Sequence, residues 1–207
     1  MQTRLQLAHV FPNQTMIDVL VFFFFHPVEK VQLAHIVQAT NKALIQVQRT
    51  LKRLIDIGLV LKGSKTGKTY YQANPSHIAY EDLQHLALKA KILSSDRENE
   101  LLKLTKKFEY GFIYGSVAHG TNTEMSDIDV FLVGNSSFNH LGSFFFDLGR
   151  ELMREVNPII FSEKQIKAEI KEQNSFIKGV LKGPKIWLFG NKNEFENVSK
   201  KWLSQAS

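Results

Sequence analysis

Two carboxylates one residue apart, Asp127 and Asp129, stand ten residues after a Gly115-Ser116 pair, and this spacing marks the stretch of the 207-residue chain best suited to chemistry. Side chains alternate along a strand, so with a strand over Ile128 to Val133 both carboxylates point to the same side. Carboxylates held together repel unless a cation lies between them. Mg²⁺ or Mn²⁺, shared between carboxylates and substrate phosphates, is the expected occupant. Upstream, Tyr110-Gly111-Phe112-Ile113-Tyr114 is short, aromatic and β-branched, hence a strand. Gly115 lets the chain turn sharply, so that backbone N–H groups and the Ser116 hydroxyl face outward. Val117 and Ala118 begin a short helix whose N-terminal N–H groups suit a triphosphate. An isolated Asp-x-Asp is more often a solvated turn, but the full constellation reverses those odds. His119 beside the turn suits a ligand contact, and at least as well a surface or capping role.

At these residues the chain resembles the minimal nucleotidyltransferases of the DNA polymerase β superfamily, whose Gly-Ser, ten residues, Asp-x-Asp pattern is matched by Gly115, Ser116, Asp127 and Asp129. The resemblance covers about Leu101 to Phe189. It implies an α/β domain with a mixed sheet, a nucleoside triphosphate bound at Gly115 and Ser116, and Asp127 and Asp129 as catalytic, metal-holding carboxylates. It also implies transfer of a nucleoside monophosphate with release of pyrophosphate. A third carboxylate is expected on a neighbouring strand, read here within Glu151 to Phe161, and at that position stands Asn157. An amide can lend a metal its carbonyl oxygen but cannot act as a base. Glu155 shares a face with Asn157 on a regular strand and could supply the charge, or it could pair with Arg150 or Arg154 at the surface. Three outcomes stay open. The domain binds Mg-nucleotide with weak or absent transfer; or it is an active enzyme modifying a small molecule or a protein such as a toxin, as antitoxins of this superfamily do; or it is a degenerate partner-binding module.

The elements around the site are read from periodicity. Phe138 to Val156 carries Leu141, Phe144, Phe145, Leu148, Leu152 and Met153 as a core-facing helix. Ser162 and Gln165 form a capping box for a helix to about Gln173, and Phe176 to Leu181 continues its register. Gly183-Pro184 breaks it, and Lys185 to Phe189 is a final strand. Lys178, Lys182 and Lys185 fit triphosphate contacts or an ordinary exposed surface.

The other half of the chain has a different character. Residues 1 to 92 hold eleven Lys or Arg against five Asp or Glu, and 93 to 207 hold fifteen of each, so the net charge of +6 belongs to the first segment. A polyanion is the partner this implies, nucleic acid rather than membrane. Asn13 to Phe25 reads as a buried helix capped by Asn13 or Thr15, Glu29 to Gln38 as a second with Val31, Leu33, Ala34 and Val37 apolar, and Thr40-Asn41 as a turn. A third, about Lys42 to Ile57, places Leu44, Val47, Leu51, Leu54 and Ile55 on one face and Lys42, Gln46, Gln48, Arg49, Lys52 and Arg53 outward. Leu59 to Lys62 and Lys68 to Gln72 flank Gly63-Ser64-Lys65-Thr66-Gly67 as a basic hairpin.

This arrangement resembles the winged helix-turn-helix of ArsR- and MarR-like transcription regulators, over about Thr15 to Pro75. The resemblance implies a third helix in the major groove of double-stranded DNA, with Gln46, Gln48 and Arg49 chemically suited to base edges and Lys62, Lys65 and Lys68 near phosphates. Ile78 to Leu104 reads as a long helix, with Ser94-Ser95-Asp96 a break in it, that pairs in a homodimer or packs on the hairpin domain. The expected architecture is α+β: a winged-helix domain over 1–78, a connecting helix over 79–104 and a nucleotidyltransferase-like domain with a mixed sheet over 105–207. The chain has no Cys, which fits the cytoplasm; Val19 to Phe25 is too short to span a bilayer and no signal sequence opens the chain.

Overall fold

The Asn13 carboxamide accepts the Met16 N–H at 3.0 Å and so starts the first helix, α1 (Gln14–Phe25), which His26 closes. Residues 15 to 25 are all buried, including the four consecutive Phe, so α1 is enclosed by other elements on every side. The computed structural model describes residues 7–94, 97–123, 125–135 and 142–204, and the chain divides into two compact units, Met1–Ser95 and Asp96–Ser207.

In the first unit α1 packs against α2 (Leu33–Thr40), α3 (Leu44–Asp56) and α4 (Tyr80–Ile92), with the hairpin β1 (Val60–Lys65) and β2 (Lys68–Ala73) beside them. The second helix begins later than its apolar pattern suggests. Val31 is not helical: it exchanges both backbone hydrogen bonds with Tyr71, at 2.9 and 2.8 Å, and forms a third, one-residue strand on the hairpin. Ile36 supplies the buried contact of α2. Asn41, left-handed at φ 50°, ends α2, and α3 buries Val47, Thr50, Leu51 and Leu54. Leu44, expected on that face, is 49% exposed: its neighbours Lys42 and Gln46 are the residues turned toward α1 there. The hairpin strands also run further than expected. Gly63, Ser64 and Lys65 pair with Tyr70, Thr69 and Lys68, leaving Thr66-Gly67 at φ 50° and 74° as a two-residue turn of the kind that matches strand twist.

The stretch read as one long helix is α4 in the first unit and α5 (Glu98–Lys107) in the second; Ser95 and Asp96 lie outside the described residues. In the second unit, β3 (Phe108–Tyr114), α6 (Gly115–His119), β4 (Ile128–Gly134), α7 (Gly142–Leu152) and β5 (Val156–Phe161) are followed by α8 (Glu163–Lys171), α9 (Ser175–Lys182), β6 (Ile186–Phe189) and α10 (Lys192–Ser204). The sheet order is β5-β4-β3-β6. It is mixed, β4 and β5 being parallel and the other neighbours antiparallel. The fold class is therefore mixed α and β with a mixed sheet.

Several helix ends differ from the periodic reading, each for a local reason. Phe144, Phe145, Leu148 and Leu152 of α7 are buried, but Met153, at φ 51°, follows the helix and is 59% exposed; Phe138 and Leu141 lie outside the described residues. Glu151 and Leu152 close α7, so the strand there starts only at Val156. The Ser162–Gln165 capping box starts α8, yet Gln173 turns left-handed at φ 61° and Asn174 caps a separate α9. α10 has no counterpart in the sequence reading. Its Phe195 is fully buried among Tyr110, Phe112, Trp187 and Trp202, at ring separations of 5.0 to 6.1 Å. Phe112, Phe131 and Phe161 stack in turn across β3, β4 and β5 at 5.3 and 5.4 Å, so the sheet behind the Asp pair is rigidly filled. Among the described residues no helix is long and apolar enough to cross a membrane.

Candidate functional site

Strand pairing brings the chemistry together at one end of the sheet. Asp129 lies opposite Tyr114 on β3 and Asn157 on β5, so all three side chains share the face covered by α8, α9 and α10. Gly115 follows Tyr114 with φ 72°, and a Cβ there would meet the Asp129 carboxylate oxygen at 2.6 Å. Glycine is thus required twice, for the left-handed backbone and for the space the carboxylate occupies. α6 is only five residues long, so what it presents are the first N–H groups of its turn rather than a developed dipole. Ser116 is half-buried at its start. His119 folds back, its Nδ1 2.8 Å from the Gly115 carbonyl, which is the capping geometry.

Ahead of Asp127 the backbone is held by local hydrogen bonds. Ser126 Oγ accepts the Thr123 N–H at 2.8 Å, and the Ile128 N–H donates to the Glu155 carbonyl at 2.9 Å, which fixes Asp127 at the mouth of β4. Asn157 Nδ2 donates to Asp127 Oδ2 at 3.2 Å. The amide therefore stands beside both carboxylates, at the position aligned with the expected third one. Glu155 is exposed and precedes β5, and its contribution to this cluster is its backbone carbonyl.

Partial burial, reinforced by repulsion from Asp127, raises the Asp129 carboxyl above its ordinary value. Burial and then Asp129 push the Tyr114 phenol up to about 12. A cation would relieve this crowding of negative charge. Among the described residues no group of three or more His, Cys, Asp or Glu gathers, so the donor set is two carboxylates and an amide. That set fits Mg²⁺ or Mn²⁺, which are held by one or two carboxylates and complete their shell with phosphate oxygens and water. Of the three candidate lysines, Lys185 Nζ donates to the Leu181 and Gly183 carbonyls at 2.8 and 2.7 Å and lies over the Phe112 ring, its pKa lowered by burial. Lys178 bonds Gln173, and Lys182 is exposed.

In the first unit the residues expected to face outward from the third helix are not equivalent, and Lys42 precedes α3, which starts only at Leu44. Lys42 pairs with the buried Asp18 at 3.1 Å, as does Lys91, and Gln46 accepts the Thr15 hydroxyl at 3.5 Å, so both Lys42 and Gln46 are turned toward α1. Lys52 pairs with Asp56 at 2.8 Å. Gln48, Arg49 and Arg53 are exposed. On the hairpin, alternation puts Lys65 and Lys68, directly paired, on one face and Lys62, opposite Tyr71, on the other. Lys30 lies over the Tyr70 ring at 5.1 Å, a contact with no signal in the sequence pattern.

Tyr114, paired with Asp129, and Phe176, whose ring meets that of Tyr114 at 5.9 Å, are not among the site residues read from the sequence. Tyr114 could have been found by pairing the two strands around the turn; Phe176 could not, since its place depends on how α9 crosses the sheet. No curated protein matches the chain. A chain in a crystal structure of a toxin-antitoxin with AMP-PNP is similar at 19% identity, over 52% of this chain and 85% of that chain, with a TM-score of 0.34. Residues 96–190, which hold every side chain of the sheet-end site, match the family Polbeta, described as Polymerase beta, Nucleotidyltransferase.

Proposed function

We propose that the second unit binds a divalent cation and a nucleoside triphosphate at Gly115, Ser116, Asp127 and Asp129 and transfers nucleotide weakly or not at all, while the first unit binds double-stranded DNA. The observation that carries the reading is Asn157, an amide donating to Asp127 where a proton-accepting carboxylate would otherwise stand. Asp127 and Asp129 would hold Mg²⁺ or Mn²⁺, with the Asn157 carbonyl oxygen as a further donor; bound there, the metal neutralises phosphate charge. The Gly115-Ser116 turn offers N–H groups and a hydroxyl to phosphate oxygens. Asn157 cannot take the proton of an attacking group.

The DNA reading draws on the order helix, helix, left-handed Asn41, helix, hairpin, with Val31 as a third strand, which suits a winged helix-turn-helix. Its base-contacting set is Gln48 and Arg49, with Arg53, Lys52, Lys65 and Lys68 toward phosphates. Lys42, Gln46 and Lys62 have weaker claims because of their orientation. Together the two halves describe a DNA-binding regulator that responds to a nucleotide.

A second reading, an active transferase acting on a protein or small-molecule acceptor, is favoured by the intact Gly115, Ser116, Asp127 and Asp129. Labelled ATP with Mg²⁺ separates the two. Nucleotide retained by the protein with pyrophosphate release no greater than in Asp127→Ala supports the binding reading, and sustained release above that variant supports the transferase.

A further inference from the structure

Phe176 occupies the first turn of α9, where its neighbours Ile177, Val180 and Leu181 are buried against the sheet, yet it is itself 46% exposed. Exposed aromatics are ordinary when isolated. This one is held in place. The Asn174 side chain accepts the N–H groups of Phe176 and Ile177 at 2.9 and 3.3 Å, fixing the backbone from which the ring projects. The ring meets Tyr114 edge-on, with centroids 5.9 Å apart and planes at 73°. Tyr114 lies opposite Asp129 in the β3–β4 register, and its own ring is braced by Phe131 at 6.0 Å. An exposed aromatic ring therefore stands one ring contact away from the carboxylate that would carry the metal, with Tyr114 between them.

We infer that Phe176, backed by Tyr114, is the stacking platform for the base of the nucleotide, and so sets the preference for a nucleoside triphosphate over a bare polyphosphate. The inference rests on the nucleotide-binding reading above. A base offers a flat π-face whatever its identity, so stacking favours purines by area while reading no hydrogen-bond pattern. The phosphates are handled by Gly115, Ser116 and the metal, which leaves the nucleoside to find its own contact. Phe176 is the exposed aromatic that adjoins Tyr114.

Calorimetric titration of the full chain with ATP, UTP and inorganic tripolyphosphate, all in Mg²⁺, tests this. Wild type should bind ATP most tightly, then UTP, then tripolyphosphate. Phe176→Ala should weaken ATP by about tenfold or more, the size of one lost base stack, while leaving tripolyphosphate unchanged. Phe176→Trp should keep ATP affinity. Circular dichroism of each variant checks that the fold is retained. Unchanged ATP affinity in Phe176→Ala, or an equal loss for ATP and tripolyphosphate, overturns the inference while leaving the nucleotide-binding reading standing. Failure of wild type to bind any of the three overturns both.

Discussion

Asn157 decides what the residues around it can do. Its amide satisfies Asp127 but brings no negative charge, so the cluster is suited to holding a cation and poorly suited to accepting a proton. Asn157→Asp should raise Mg²⁺-dependent pyrophosphate release by about a hundredfold or more, the scale of a positioned base, as measured with labelled ATP and an added acceptor. An unchanged rate would mean that more than the base is missing. Asp129 carries a second prediction. Its folded-state pKa lies above the ordinary 3.8, so the native protein binds the extra proton and loses stability as pH rises from that value through the raised one. In metal-free buffer Asp129→Asn should therefore melt higher than wild type at pH 7, and the gap should close as pH falls through the carboxylate range. Equal melting at both pH values would remove the electrostatic account. Much of this was legible in the sequence: Gly115 before a turn and alternate Asp residues are local signals. The Asn157–Asp127 bond and the clearance between Gly115 and Asp129 were not, because they depend on strand register.

At the scale of elements, long apolar patterns announced themselves and context-dependent ones did not. α1 was readable from its Asn13 cap and its unbroken apolar run, and α3 from the helical spacing of Val47, Leu51 and Leu54. Val31 was misread as helical since its strand pairing is made with Tyr71, forty residues on. α10 offered Phe195, Ser199 and Trp202 at helical spacing after Asn191, whose side chain accepts the Glu194 N–H at 3.2 Å, but its charged outer face hid that stripe. Phe195 fills the centre of the aromatic cluster. Phe195→Ala should cost about 3–5 kcal/mol in urea unfolding, whereas Met153→Ala, at an exposed position, should cost well under 1 kcal/mol, as is usual for surface changes. Comparable losses at the two sites would contradict the packing described. On α3, Arg49→Ala should weaken DNA binding in a gel shift, while Lys42→Ala, just before α3, should act mainly by lowering stability, because its ammonium is committed to Asp18. A Lys42→Ala protein of unaltered stability and lost DNA affinity would reverse that assignment.

Across the whole molecule, charge and chemistry are segregated. The excess of positive charge belongs to residues 1 to 92, while the Gly-Ser turn and carboxylates lie in the balanced remainder. Binding of the chain to double-stranded DNA should accordingly weaken steeply with salt, by orders of magnitude between about 50 and 200 mM if six or more phosphates are contacted. Salt-insensitive binding would point away from the basic helix and hairpin. The central claim, that paired carboxylates in the second unit hold a metal and nucleotide, is tested most directly by titrating ATP calorimetrically into wild type and into Asp127→Asn/Asp129→Asn, each in Mg²⁺ and in EDTA. Binding by wild type in Mg²⁺ alone, lost in the double variant, is the predicted result; ATP affinity that is the same in all four titrations, or absent throughout, would contradict it.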